Sequence, residues 1–316
     1  MKRWLWIAFF VAVCGSCLVG ATAINPLQMS AVEHDILFGL RLPRVLFSAV
    51  IGAMLGLSGS VYQLTLKNPL ADSFTTGAAS SAALGAILAI SFGAPAPLVP
   101  LFALATGLAG LTLVYRLSMT GGFINPVTMI LAGIVMNIVA SAVISFSKYY
   151  FEESISSIVF WLMGGFFMVG WGRLVVCAVV FGVIFIFFRQ RALQLNLLAL
   201  DEHSAQTLGV DVHRLRSLAF VAATLLVGIA VSYTGIIGFV GLIVPHIARS
   251  LFGSDMRHNL LYSSLLGALL LVTADAVARV IIPGGAELPV GIITALLGGI
   301  FFLYLLQTRR ERFWHG

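Results

Sequence analysis

Three groups of residues in this 316-residue chain have the types and spacing to do chemistry. The first is ALDEHSAQTLGVDVHRLR (199–216), which gathers Asp201, Glu202, His203, Asp211, His213, Arg214 and Arg216, whereas residues 154–200 before it carry only Arg173, Arg189 and Arg191 as charges. The second is a pair of acids, Asp275 and Glu287, set among apolar residues. Ionisable groups at membrane depth are functional hypotheses by default, and two carboxylates there could relay protons. The third is His246 beside Pro245, an imidazole that could ligate a metal. Ready-made catalytic sets are absent from the sequence: there is no H-E-x-x-H, no G-x-S-x-G and no G-x-x-x-x-G-K-[ST]. None of Lys2, Lys67 and Lys148 precedes Ser or Thr, so work driven by ATP would need another subunit to hold the nucleotide. Cys14 and Cys17 form a C-x-x-C with no His or acid beside them, and with Cys177 they read as packed small residues.

The elements that must position these groups are membrane helices. Hydrophobic residues make up 60% of the chain and charged ones 9%, with a mean hydropathy of +1.05, far from a soluble domain in which about a quarter are charged. Ten apolar stretches approach the roughly twenty residues that span a bilayer as helix, near 4–24, 42–64, 74–92, 96–117, 126–146, 172–188, 214–233, 236–252, 259–282 and 289–307. Lipid offers backbone groups no water, and the alternation of a barrel strand is missing, so the expected fold is all-α, one helical membrane domain over 1–316 with discontinuous segments. With the N-terminus inside and ten spans, thirteen Lys and Arg fall inside, while Arg41, Arg44, Lys148, Arg173 and Arg279 fall outside. That bias predicts an N-in, C-in topology with 199–213 in the cytoplasm. The net charge of +6 is then a topology signal and not a nucleic-acid surface. Lys2-Arg3, the apolar run and Ala21-Thr22-Ala23 imitate a cleavable signal peptide, but a run of about seventeen residues exceeds the usual h-region and favours a retained first helix.

Two places read as broken helix, LKNPLADS (66–73) and GIIGFVGLIVPHIARSL (235–251), with Asn68 and Pro69 in one, Gly238, Pro245 and His246 in the other. Irregular backbone at that depth is tolerated where it is buried in protein or lines a cavity, which points to a transport pathway. Asn68 is suited to satisfy freed backbone groups in its turn. Gly52, Ala53 and Gly56 put small residues on one helix side, where backbones can approach closely. The Arg-led helices 44–60 and 216–232 look alike and run in opposite directions in this topology, as inverted repeats do. In the polar stretch, 199–208 is amphipathic, Gly209 offers a left-handed stop and Asp211 can cap the next span.

RLPR (41–44), GLSGSVYQLTLKNPLADSFTTGAASSAALGA (56–86), LALDEHSAQTLGV (198–210), GIIGFVGLIVPHIAR (235–249) and ADAVARVIIPGGAELPVGIITALLGGIFFLYLL (274–306) occur in that order. Together they resemble the FecCD-type permeases of binding-protein-dependent ABC importers for ferric siderophores, haem and cobalamin. The resemblance implies a ten-helix subunit of a bacterial inner membrane. Its partners would be a second permease subunit, identical or paralogous, two ABC ATPases in the cytoplasm that bind ATP and Mg, and a periplasmic or lipid-anchored binding protein; the chain itself would hold no cofactor or metal and catalyse nothing. It also implies that Leu200, Asp201, Glu202, His203, Ala205, Leu208, Gly209 and Val210 belong to coupling helices seated in the ATPase, with Asp201 where the family usually has Gly. Arg41, Arg44 and Arg279 match positions whose arginines meet acids of the binding protein, as exposed rim arginines are suited to do. Arg41 and Arg44 could instead anchor a helix end, and Arg279 could pair with Asp275 one turn earlier. FEESISSIVFWLMGGFFMVGW (151–171) resembles the outer segment between the fifth and sixth helices. The expected function is therefore the permease subunit of an ABC importer for a ferric siderophore or related metal chelate. The competing expectation is a proton-coupled secondary transporter that uses Asp275 and Glu287.

Overall fold

A computed structural model describes residues 2–20, 29–120, 123–167, 169–200, 202–282 and 285–308. Ala21–23, Asp201, and the three arginines 309, 310 and 312 used in the charge count lie outside the described residues, as do the side chains of Glu202 and His203. In chain order the helices are α1 (Lys2–Leu18), α2 (Ala31–Asp35), a π-helical turn (Ile36–Arg41), α3 (Leu42–Thr65), α4 (Ala78–Ser91), α5 (Val99–Leu117), α6 (Pro126–Tyr150), α7 (Ile155–Leu162), α8 (Trp171–Gln190), α9 (Ala192–Leu197), α10 (Glu202–Thr207), α11 (Val212–Thr234), α12 (Val240–Phe252), α13 (Met256–Ala278) and α14 (Val290–Thr308). A two-residue antiparallel ladder, Met119–Thr120 with Phe123–Ile124, precedes α6.

Among the described residues, seven segments have the length and composition to cross a membrane, the longest being Ala31–Thr65. The remaining apolar helices, Arg3–Leu18, Ala78–Ser91 and Val240–Phe252, are shorter. Each expected stretch holds one of these helices, yet α4 and α12 begin later than hydropathy suggests. The chain ahead of α4 is a turn that ends in left-handed Gly77, and the chain ahead of α12 ends in left-handed Phe239. The first of the long segments begins earlier than expected because Ser30 and Glu33 form a capping box on α2. The π turn, in which the Leu42 N–H donates to the Leu37 carbonyl, then carries the helix through Pro43.

α3 is the hub, packed by α13, α11, α12 and α8, and 89% of its apolar window is buried. The reason is in its sequence. Gly52, Gly56 and Gly59 face the backbones of Gly267, Ser263 and Gly241, where an added Cβ would come within 2.2, 2.3 and 1.9 Å of their carbonyl oxygens. In lipid, where burying apolar surface gives no drive to associate, such close backbone packing holds helices together. Hydrogen bonds reinforce it: Ser60 Oγ donates to Asn259 Oδ1 at 2.6 Å, and the Tyr62 hydroxyl donates to Thr224 Oγ1 at 2.8 Å. The peripheral α6, α8 and α14 are only 28%, 22% and 22% buried over their apolar windows. Their outer faces, with Leu131, Ile138, Val183 and Leu303 exposed, need a hydrocarbon or protein cover.

Candidate functional site

One irregular segment follows α3, another precedes α12, and the two meet. At the end of α3, Lys67 takes a left-handed conformation (φ 48°), and Asn68 Oδ1 accepts from the Leu70 N–H at 2.9 Å, as its turn chemistry predicts. The turn is completed by Asp72, which sequence reading passed over. Its buried carboxylate accepts from the N–H groups of Phe74 and Thr75 at 3.0 and 2.9 Å, and Thr75 Oγ1 accepts from the Asp72 N–H at 2.8 Å. The Asp-x-x-Thr spacing was the available signal, since short polar side chains at that spacing bond each other's backbone. Phe74 packs on Gly238, where a Cβ would stand 3.2 Å from its ring, so the two irregular segments touch.

The second break differs from expectation. Pro245 lies inside α12, and the irregular backbone precedes the helix, at 235–239. Proline lacks the N–H that would bond the carbonyl four residues back, here that of Gly241. Gln63 Nε2 of α3 supplies the missing donor, at 3.3 Å from both the Gly241 and Leu242 carbonyls. The helix therefore continues through Pro245 because α3 stitches it. His246 packs edge-on against Phe301 of α14, and no group of three or more His, Cys, Asp or Glu is placed to hold a metal among the described residues.

The polar stretch forms a lever. α10 ends in a paired C-cap: Gly209, left-handed at φ 82°, donates its N–H to the Gln206 carbonyl, and Val210 N–H donates to the Ala205 carbonyl. Asp211 caps α11 by accepting from the Arg214 N–H at 3.0 Å. Ala205 and Val210 turn inward, whereas Leu200 and Leu208 stand out with 44% and 62% of their surface exposed. The lever is tied at its leading end. Lys67 Nζ donates to the Leu200 carbonyl at 2.8 Å. Asn196 Nδ2 donates to Asp255 Oδ1 at 2.8 Å, while its Oδ1 accepts from the Met256 N–H at 2.8 Å. Asp255 is held well below the usual carboxylate range, first by the Arg257 side chain, then by Asn196 and the Arg257 backbone N–H.

At the opposite end of α3 sits a charge cluster. Arg44 donates to Asp275 Oδ1 through Nε at 3.1 Å and Nη2 at 2.9 Å, and to Glu287 Oε2 through Nη1 at 2.7 Å. Arg279 Nε stands 3.2 Å from Asp275 Oδ2, one turn along α13. Its Nη1 and Nη2 donate to the carbonyls of Val19 and Ser16, and Arg41 Nη1 donates to that of Leu18 at 3.1 Å. Cations thus cover the unpaired carbonyls at the C-terminal end of α1, where the helix dipole favours them. The expectation of exposed rim arginines is corrected for Arg41 and Arg279, which are buried. All three arginines and Glu287 still line one opening of about 260 Å³. The acids that a proton-coupled transporter would need are committed to Arg44, so that alternative has no support here.

A bundle of long apolar helices with paired breaks around its hub helix, and a polar lever tied to one break, defines a multi-pass membrane transporter subunit. Residues 7–308 match the FecCD transport family, and the chain belongs to it, as the permease subunit of an ABC importer. It is 36% identical to the hemin transport system permease protein HmuU of Yersinia pestis, over 99% of this chain and 96% of that protein. It is 34% identical to the vitamin B12 import system permease protein BtuC of Vibrio cholerae, over 98% and 96%. Among solved structures, an inward-facing metal-chelate type ABC transporter superposes with a TM-score of 0.89 at 34% identity, covering 96% of this chain and 98% of that one.

Proposed function

We propose that this chain is the membrane pathway of an importer for a bulky metal chelate, first a ferric siderophore, with haem and cobalamin next as the cargoes named for its relatives HmuU and BtuC. Two copies, or this chain and a paralogue, enclose the path in a bacterial inner membrane, each with ten spanning helices and both termini in the cytoplasm. ATP and Mg are held by separate ATPase subunits, which receive residues 200–212. A binding protein delivers cargo at the Arg41, Arg44 and Arg279 end, where an acid on its surface could reach the arginines through their shared opening. A chelated cargo asks for no dedicated metal ligands from the chain.

The observation that carries this reading is the lever. Leu200 and Leu208 project apolar surface, while Lys67 and Asn196 fasten its base to the broken turn after α3 and to the start of α13. A push on α10 would reach the break through those ties. The test is co-purification with an ATPase encoded beside this chain, comparing wild type with a chain whose 202–209 is replaced by Gly/Ser. Retention by wild type and loss by the replacement is the expected result. Equal retention by both would remove the lever from the contact. Uptake of labelled ferric siderophore, haem and cobalamin in cells carrying the whole system then ranks the cargoes, and reagent accessibility of cysteines placed at 208 and 287 reads the orientation.

A further inference from the structure

Beside the tie between Lys67 and Leu200 lies a polar pocket of about 480 Å³, walled by the tail of α3, the break at 67–69, the head of the lever and the junction of α12 with α13. Two cations line it, Lys67 and Arg249. Arg249 is half-buried, and among the described residues it has no carboxylate within ion-pair distance; its guanidinium donates to the neutral Gln63 Oε1. Gln63 cannot turn away, because its amide nitrogen is occupied by the Gly241 and Leu242 carbonyls. The one acid among the described lining residues, Asp255, is already balanced from outside: Arg257 bonds both its oxygens, and Asn196 bonds Oδ1. Among the described residues the pocket is left with an excess of positive charge and, in Asn68, an amide beside it.

A partly desolvated guanidinium that faces a cavity without a counter-ion costs free energy that an oxyanion would recover. The two cations come from different elements, Lys67 from the break and Arg249 from the end of α12. An anion with several oxygens spread in three dimensions suits such a pair better than a flat carboxylate. We propose that this pocket binds a phosphate group, carried by a phospholipid headgroup or by a small free phosphate, between Lys67 and Arg249. Bound there, it would clamp the broken turn, the lever's leading end and α12 into one unit, and so bias the lever's position whatever the cargo.

The test uses the full-length chain in nanodiscs of phosphatidylcholine, titrated with inorganic phosphate, and in nanodiscs doped with phosphatidic acid. Wild type is expected to bind one of the two probes saturably. Arg249→Gln is expected to weaken that binding by about tenfold or more, the scale of one lost charge-assisted hydrogen bond. Lys67→Gln, at a more exposed position, is expected to weaken it less, and it carries the test if the Arg249 variant does not fold. Binding of inorganic phosphate alone identifies a free phosphate. Retention of phosphatidic acid through detergent extraction by wild type, and its loss from the variants, identifies a headgroup. The proposal is overturned if neither probe binds, if both variants bind as wild type does, or if acetate competes as well as phosphate.

Discussion

At one end of α3, Arg44 is gripped by two carboxylates, with Arg279 and Arg41 locked onto the carbonyls of α1. At the other, Gln63 reaches the Gly241 and Leu242 carbonyls of α12, and Lys67 the Leu200 carbonyl of the lever. Both ends join segments far apart in the chain, but with different chemistry. Paired charges in low dielectric are costly to separate, because each partner left behind is a buried ion. A side chain bonded to a carbonyl can be released at roughly the net worth of one hydrogen bond, about 1 kcal/mol. The helix is thus clamped at the charge cluster and detachable at the lever, which is the asymmetry a subunit needs if one end must move relative to the bundle.

The comparison fails first if Asp275→Ala is mild. It strips Arg44 of one carboxylate and Arg279 of the one it meets among the described residues, and the expected loss is about 3–5 kcal/mol, read as a fall in thermal unfolding temperature of the purified protein. Gln63→Leu should cost less, about 1–3 kcal/mol, by returning the Gly241 carbonyl to its unpaired state beside Pro245; denaturant unfolding in detergent ranks the two. A larger loss from Gln63→Leu than from Asp275→Ala would invert the assignment of clamp and hinge. Gly209→Ala should cost about 1 kcal/mol, because the left-handed C-cap of α10 disfavours a Cβ; faster hydrogen exchange confined to 202–210 is the expected signature.

The smallest effect is in pH. The Asp255 carboxyl is depressed by Arg257 and Asn196, so its contribution to stability is complete above the ordinary carboxylate value near 4 and fades as pH falls through the lower folded value. The stability gap between wild type and Asp255→Asn should stay level from pH 7 to about 4 and close only below that. A gap that closes between pH 7 and 5 would mean that Asp255 lacks those partners.

Much of this organisation could be read along the chain. Gly209 and Asp211 act within a few residues of themselves, as does Asn68, and each does what its side chain predicts. The capping box Ser30-x-x-Glu33 was equally local but lay in a stretch too polar for a hydropathy reading to treat as helix. Pro245 misled because a proline marks a break only if its orphaned carbonyl stays unpaired, and the donor that rescues it is 178 residues away. The exposure of Arg41 and Arg279 was not legible for a related reason: a cation near a helix end looks exposed until the end of α1 is folded beneath it, and the structure shows the helix-end contact for Arg41 and the Asp275 pairing for Arg279 that the sequence had left open.

What the sequence determined by itself is a ten-stretch apolar chain with two irregular segments and one capped polar lever, because hydropathy, glycine and proline geometry, and side-chain caps act over one or two helical turns. Only the tertiary structure decided that Arg44 pairs with acids 231 and 243 residues away, that Gln63 repairs α12, and that Lys67 ties the lever to the break. Those bonds depend on which helix faces meet. That choice is set by the close approach of glycine backbones at Gly52, Gly56 and Gly59, a property of pairs of surfaces that no single stretch of sequence displays.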